Sequence, residues 1–218
     1  MSITSEIQHL HQELPVTTRL VAVSKFHPVE AIEEAYAAGQ RIFGESRLQE
    51  LCEKRPVLPQ NIEWHFIGHL QTNKIKQIVP FVSLIHGVDS AKLLKEINKE
   101  GEKIGRVVPC LLQIFVAQEE TKFGLSPDEC RALVRNLEHF PNVQICGLMG
   151  MASLTDNQAQ IRAEFEQLKA LFDELKTTIN NSAFKELSMG MSEDYPLAVE
   201  CGSTMVRIGS RIFGFRQY

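Results

Sequence analysis

Residues 20–25 read Leu-Val-Ala-Val-Ser-Lys, a short apolar run that ends on a hydroxyl and a lysine. An apolar run of this length indicates a strand that is buried on both faces of a parallel sheet. Further runs of the same kind follow at residues 41–44, 63–68, 83–88, 109–116, 143–149, 184–190 and 205–209. The sequence therefore predicts eight buried strands, of which residues 20–24 are the first.

Helical patterns separate these runs. Residues 90–104 and 156–179 show helical spacing, and residues 126–139 begin with a Ser126/Glu129 capping box. Eight alternating strand–helix units predict an α/β fold, a (β/α)8 TIM barrel, with an extra amphipathic helix formed by the residues before Pro15. A doubly wound sheet is the main competitor, but it would stop at five or six strands, and no Gly-x-Gly-x-x-Gly turn follows the first strand.

Composition narrows the class of protein. With 218 residues, 44% of them hydrophobic, the chain is expected to form a single domain over residues 1–218. The net charge of -4 and the scattered basic residues argue against nucleic-acid binding, and no apolar run is long enough for a membrane span. Five cysteines without a C-x-x-C pair favour neither disulfides nor a metal site, so we expect a cytoplasmic protein.

The active face of a barrel lies at the carboxyl ends of its strands. The polar residues that the predicted strands deliver there are Lys25, His69, Asp89, Lys122, Ser192 and Arg207. Lys25 is the leading candidate, because a desolvated lysine beside a phosphate site can form a Schiff base with pyridoxal 5′-phosphate (PLP). The alternative is that Lys25 is an ordinary solvated surface charge.

A phosphate site is predicted after the last two strands. Gly209 and Ser210 follow the eighth strand, where their backbone N–H groups could bind an anion, and the Ser192 hydroxyl could add a further donor. Because Glu193 and Asp194 follow Ser192, the competing interpretation is that Ser192 only caps a helix.

Arg207 lies inside an apolar strand, where an unpaired guanidinium would be costly, so it must face either an acidic side chain or a ligand. His65 alternates with Trp64 and Phe66 and is expected to be a hydrogen-bonded core residue, whereas His69 could cap a helix or line the pocket. The sequence has no cluster with metal-ligand spacing and no Gly-x-Ser-x-Gly elbow, which argues against a metalloenzyme or a serine hydrolase.

The joint order of several motifs closely resembles the YggS/PROSC/PipY family of PLP homeostasis proteins over nearly the whole chain. The motifs are Val21-Ala22-Val23-Ser24-Lys25, Gly44-Glu45, Gln49-Glu50, the run from Trp64 to Lys74, the run from Leu187 to Ser192, and Val206-Arg207-Ile208-Gly209. Ser46 and Phe115 depart from this family's usual asparagines, which puts polar contacts on those two strands in doubt.

The resemblance implies a monomeric barrel, similar to the amino-terminal domain of alanine racemase, that holds PLP and acts in vitamin B6 and amino-acid homeostasis without an established enzymatic activity. It implies that Lys25 forms the Schiff base and that Arg207 meets the pyridine nitrogen. The other residues that it assigns to the cofactor are Ser192, Gly209, Ser210 and Met189. PLP-dependent apoenzymes and amino acids are the further partners that it suggests.

Three functions are compatible with these residues. The first is a non-catalytic PLP carrier or buffer that binds the cofactor reversibly through Lys25. The second is a racemase-like PLP enzyme, which would need a second acid/base. None of the tyrosines Tyr36, Tyr195 and Tyr218 lies in a motif that would mark it for this role. The third is a barrel that binds another phosphate ester, with Lys25 acting only as a charge.

Overall fold

Eight parallel strands form a closed barrel in the computed structural model, which describes residues 2–116 and 123–214. Each strand pairs with the next along the chain, and the first pairs with the eighth. The strands are β1 Arg19–Val23, β2 Ile42–Glu45, β3 Glu63–Phe66, β4 Leu84–Val88, β5 Val108–Gln113, β6 Val143–Met149, β7 Glu186–Met191 and β8 Met205–Ile208. The predicted TIM barrel and the number of strands are confirmed.

Helices surround the barrel. They are α1 Ile3–Glu13, α2 Val29–Ala37, α3 Leu48–Lys54, α4 Ile75–Ile78, α5 Ala91–Lys103, α6 Pro127–Val134, α7 Gln158–Ile179, α8 Tyr195–Glu200 and α9 Ser210–Phe213. Of these helices, α1, α5, α6 and α7 begin at a side-chain cap. The extra amino-terminal helix is confirmed as α1, and the Ser126/Glu129 capping box starts α6. The predicted helix 126–139 is shorter than expected, because α6 ends at Val134 and a 3-10 turn forms residues 137–139.

The hydrophobic core has two layers. The larger layer fills the space between the barrel and its helices, and the smaller one lies inside the barrel around Val21, Leu84, Leu111, Met149 and Met205. Side chains alternate between these layers along each strand because strand side chains have a period of two. Polar side chains occupy other positions inside the barrel, next to the smaller layer, and they form part of the candidate site.

A bulge between β5 and β6 requires glycine at position 147. The pairing register shifts between Cys110 and Leu111 on β5, opposite Gly147 on β6. Gly147 has a φ of 152°, and a Cβ atom there would lie 1.7 Å from the backbone oxygen of Glu186. No side chain fits in this position, so the approach of β7 to β6 depends on the glycine.

Two classes of feature are missing from the part of the chain that the structure describes. Over residues 2–116 and 123–214, no helix is long and apolar enough to cross a membrane, and no group of three His, Cys, Asp or Glu side chains could hold a metal ion. The five cysteines are all free thiols.

Candidate functional site

Three neighbouring strands bring the predicted site residues to the carboxyl end of the barrel. Lys25 lies two residues after β1, Ser192 follows β7 directly, and Gly209 follows β8 directly. Since β8 pairs with both β1 and β7, the three positions lie on one side of the barrel mouth. Lys25, Ser192 and Gly209 are half-buried, whereas Ser210 is exposed at the start of α9.

The Ser192 hydroxyl contacts the loop after β8. The backbone N–H of Gly209 donates to Ser192 Oγ at 3.3 Å, which places the two predicted phosphate ligands side by side. The helix-cap interpretation of Ser192 is wrong, because α8 begins at Tyr195 with Asp194 as its N-cap residue. Ser192 therefore belongs to the loop at the barrel mouth.

Arg207 is a buried cation that bonds only neutral acceptors in the described part of the chain. Its side chain points into the barrel, where Nη1 donates to the backbone oxygen and Oγ of Ser188 at 2.9 and 2.7 Å, and Nη2 donates to the oxygen of Gly150 at 3.1 Å. Burial lowers the pKa of Arg207 to about 10, and Asp194 acts in the opposite direction. The residue stays protonated at neutral pH and brings a positive charge to the interior of the barrel.

Arg207 forms no salt bridge within residues 2–116 and 123–214, although the charge of Asp194 favours its protonated form. Removing a guanidinium from water without a carboxylate is unfavourable. An anionic or electron-rich ligand would add to the compensation that Asp194 supplies.

A chain of hydrogen bonds extends from Arg207 across the barrel. Ser188 Oγ lies 3.1 Å from His86 Nδ1, and His86 Nε2 lies 3.0 Å from His65 Nδ1. A guanidinium can only donate, so Ser188 accepts from Arg207 and its hydroxyl proton is left for His86. In this assignment both histidines are neutral and carry their proton on Nε2.

Burial keeps both histidines neutral. Desolvation, assisted by the charge of Arg19, lowers the pKa of His65 to about 3. Desolvation also lowers the pKa of His86 well below its usual value, with His65 and Arg207 adding to the effect. The expectation that His65 is a hydrogen-bonded core residue is confirmed, whereas His86 was not predicted. The signal for His86 was a polar residue at an interior position of the apolar run 84–88.

A buried charge cluster contacts the backbone on either side of Lys25. The ammonium of Lys54 is 2.8 Å from Glu45 Oε1 and 2.9 Å from Glu50 Oε2. Burial raises the pKa of Glu45, and Lys54 opposes this effect. Sequence reasoning did not find Lys54, although its position four residues after Glu50 on α3 is the spacing of a helical ion pair.

Two predicted candidates lie elsewhere around the mouth, and a third is not described. His69 Nδ1 is 3.0 Å from Asp89 Oδ2, and the His69 ring stacks on Phe123. His69 was expected either to cap a helix or to line the pocket, and neither expectation includes the pairing with Asp89. This pairing keeps the imidazole at the edge of the barrel mouth. Lys122 lies outside the described residues.

Met189 is buried in the outer layer of the core, so its side chain packs against the helices. Its backbone oxygen accepts a hydrogen bond from Ser203 Oγ at 2.8 Å. The assignment of Met189 to the cofactor therefore stays a prediction. Because the side chain faces the helices, this prediction applies to the backbone of Met189.

The arrangement combines three chemical capabilities. Lys25 offers a primary amine, Arg207 a fixed cation, and the Ser192–Gly209 pair a polar edge for an anion. Such a set suits a small anionic carbonyl compound that reacts with the amine while its charged group is held at a distance. A phosphorylated aldehyde fits these residues.

A (β/α)8 barrel with a lysine after β1 and a polar loop pair after β7 and β8 defines the class of alanine-racemase-like barrels. Residues 2–217 match the family model described as the alanine racemase N-terminal domain. An alanine racemase from E. faecalis has the same fold, with a TM-score of 0.77 at 18% identity, and the match covers 98% of this chain and 57% of that one.

The chain belongs, within this class, to the family of pyridoxal phosphate homeostasis proteins. The relative of that name from Homo sapiens is 42% identical over 95% of this chain and 80% of its own length. PipY from Synechococcus elongatus, solved without PLP, superimposes with a TM-score of 0.93 at 40% identity, over 98% of this chain and all of that one. The structure of PipY with PLP bound gives a TM-score of 0.89 at 39% identity over the same shares of both chains.

Proposed function

We propose that this protein binds PLP reversibly and acts in vitamin B6 and amino-acid homeostasis, as a buffer or a carrier without catalysis. The observation that carries the proposal is the buried Arg207 cation, which within residues 2–116 and 123–214 bonds only neutral acceptors and faces the same barrel end as Lys25. Membership of the homeostasis family and the PLP-bound structure of PipY support it.

Each predicted residue has a role in this proposal. Lys25 condenses with an aldehyde, so that its nitrogen bonds to the aldehyde carbon and the carbonyl oxygen leaves as water. Arg207 would meet the ring nitrogen, and Ser192, Gly209 and Ser210 would hold the phosphate, with Met189 contributing through its backbone. PLP supplies the aldehyde and an electron-withdrawing ring.

The tyrosines in the described residues are poorly placed to serve as the second acid/base of the racemase-like alternative. Tyr36 Oη donates to Asn61 Oδ1 at 2.8 Å, and Tyr195 Oη bonds Glu13 and Arg211 on the side facing α1. Burial and the Glu13 hydrogen bond raise the pKa of Tyr195 to about 12, which suits a structural hydroxyl better than a proton carrier. Tyr218 lies outside the described residues.

A cationic Arg207 at the ring nitrogen also favours storage over catalysis. It keeps that nitrogen unprotonated, which makes the ring a weaker acceptor of electrons from a substrate carbanion. We expect no amino-acid racemisation above the background of free PLP.

The carrier role is tested by cofactor transfer. The PLP-loaded protein is mixed with an apoenzyme, and recovery of that enzyme's activity is compared with recovery in free PLP at the same total concentration. Faster recovery, or an unchanged rate at a much lower free aldehyde concentration, supports carriage or buffering. Transfer no faster than from free PLP, with no reduction of free aldehyde, would contradict both roles.

The proposal also covers the location, oligomeric state and domain organisation of the protein. We propose a cytoplasmic monomer in which residues 1–218 form one PLP-binding domain. Size-exclusion chromatography with light scattering tests the oligomeric state, and a dimer with the cofactor site at its interface would contradict it.

A further inference from the structure

Lys25 lies in a strained turn. The N–H of His27 donates to the backbone oxygen of Ser24 at 3.1 Å, which closes a four-residue turn with Lys25 and Phe26 at its centre. Phe26 has a φ of 68°, in the left-handed region, while Lys25 does not. This is the pattern of a type II turn, in which the third position normally takes glycine. A phenylalanine there is strained and must be held by its surroundings.

Glu50 holds the strained residue. The backbone N–H of Phe26 donates to Glu50 Oε2 at 2.7 Å, and the guanidinium of Arg47 lies 4.2 Å from the centre of the Phe26 ring. Burial raises the pKa of Glu50, but the bonds from Phe26 and Lys54 outweigh it and lower the pKa below its usual value. Glu50 is therefore an ionised acceptor at neutral pH, and its hydrogen bond to the amide is charge-assisted.

The Phe26 N–H belongs to the peptide unit that joins Lys25 to Phe26. Types I and II of a turn differ by a rotation of this central peptide, by roughly half a turn. A type I arrangement would remove the positive φ of Phe26 but would point its N–H away from Glu50. The Glu50 carboxylate therefore favours the type II arrangement, which the side chain of Phe26 disfavours. The arrangement that forms determines the backbone conformation from which the Lys25 side chain projects.

Lys54 and Glu45 hold the other end of the turn. Lys54 Nζ donates to the backbone oxygen of Ser24 at 2.9 Å and to Glu50 Oε2 at 2.9 Å. Ser24 Oγ donates to Glu45 Oε1 at 2.7 Å, and Lys54 donates to the same oxygen at 2.8 Å. Lys54 therefore connects the start of the turn to the carboxylate that holds its central peptide.

We propose that Glu50 is a positioning residue, supported by Lys54 and Glu45, which directs the Lys25 amine into the barrel mouth by selecting the type II arrangement of residues 24–27. This inference rests on the proposed function of Lys25. It assigns a purpose to the cluster of Glu45, Glu50 and Lys54, whose burial has a cost in lost hydration.

The test compares Glu50→Ala with Glu50→Gln and with the double variant Phe26→Gly/Glu50→Ala. Each is titrated with PLP, which can react with Lys25, and with pyridoxine 5′-phosphate, which has the phosphate but no aldehyde. We expect Glu50→Ala to weaken the reducible PLP adduct about tenfold and to change pyridoxine 5′-phosphate affinity by less than about twofold. Glu50→Gln keeps an acceptor oxygen and should lose about threefold.

The double variant makes the test specific. Glycine takes a positive φ without strain, so Phe26→Gly should restore most of the adduct that Glu50→Ala loses. Glu53→Ala, on the exposed side of α3, is the matched control and should behave as the unmodified protein. Adduct formation by Glu50→Ala equal to that of the unmodified protein would overturn the proposal, as would equal losses of both ligands or a failure of glycine to restore the adduct.

A second readout separates this inference from the proposed function. Hydrogen exchange of the Phe26 amide is measured in the protein without PLP, where Glu50→Ala should speed exchange at least about tenfold relative to Glu53→Ala. Faster exchange in a protein whose Lys25 forms no adduct would support the turn geometry and refute the PLP function. Unchanged exchange would refute the turn geometry, whatever the protein does with PLP.

Discussion

The neutral histidines inside the barrel should make the protein sensitive to mild acid. His65 has an ordinary pKa of 6.5 when unfolded and a pKa of about 3 when folded. Between these values the unfolded chain binds the extra proton, so the free energy of unfolding falls as pH falls below 6.5. From pH 7 to pH 5, His65 alone should remove about 2 kcal/mol, and His86 acts in the same direction.

The assay is urea unfolding followed by the fluorescence of Trp64, the one tryptophan of the chain, which is buried. The unmodified protein is compared with His65→Asn at pH 7 and pH 5, because asparagine keeps hydrogen-bonding groups but does not titrate. His139→Asn, at an exposed histidine, is the control. Although His65→Asn is expected to be less stable at pH 7, it should lose about 2 kcal/mol less than the unmodified protein on acidification.

The difference between the two proteins is the informative quantity, because other groups titrate in both. Equal losses of unfolding free energy for His65→Asn and the unmodified protein would refute the account of a neutral, desolvated His65. A larger loss in the variant would refute it as well, since it would mean that His65 is protonated in the folded state.

Three other substitutions test the site and the fold. Lys25→Ala should abolish the borohydride-reducible PLP adduct but keep pyridoxine 5′-phosphate affinity within about threefold, because the charge-assisted phosphate contacts remain; loss of that affinity in a folded variant would contradict the division of roles. Arg207→Met should weaken PLP binding at least about tenfold in a spectroscopic titration, since it removes the buried cation and its hydrogen bonds to Ser188 and Gly150, whereas unchanged affinity would exclude Arg207 from the site. Gly147→Ala should destabilise the barrel by about 3 kcal/mol or more in urea unfolding, given its positive φ and the clash with β7; a change below about 1 kcal/mol would show that the bulge can relax.

The fold could be predicted because each barrel strand is buried on both faces and reads as an apolar run. The eight predicted strands appear with their ends shifted by up to a few residues, since strand ends depend on pairing with neighbours. Helix ends were less predictable at residues 126–139, where the chain continues into a 3-10 turn. Local composition does not report how a helix end packs.

The candidate site was predictable in its location but not in its supporting contacts. Lys25, Ser192 and Gly209 were found because they follow strands, and the barrel topology places such residues at one end. The cap assignment of Ser192 failed because the helix starts later, at Tyr195, with Pro196 in its first turn. His86 was missed because its partners His65 and Ser188 are distant in sequence. Lys54 has a local partner in Glu50, but its bond to the backbone of Ser24 forms only in the folded barrel.

The central claim is that Lys25 holds PLP covalently and reversibly. The most direct measurement is the near-ultraviolet and visible absorbance of the purified protein with PLP, before and after borohydride, followed by mass mapping of the reduced peptides. The account predicts a band that borohydride removes and a pyridoxyl mass on Lys25. A protein that gives no reducible band and binds no added PLP would contradict the claim and leave a barrel that binds some other phosphate ester.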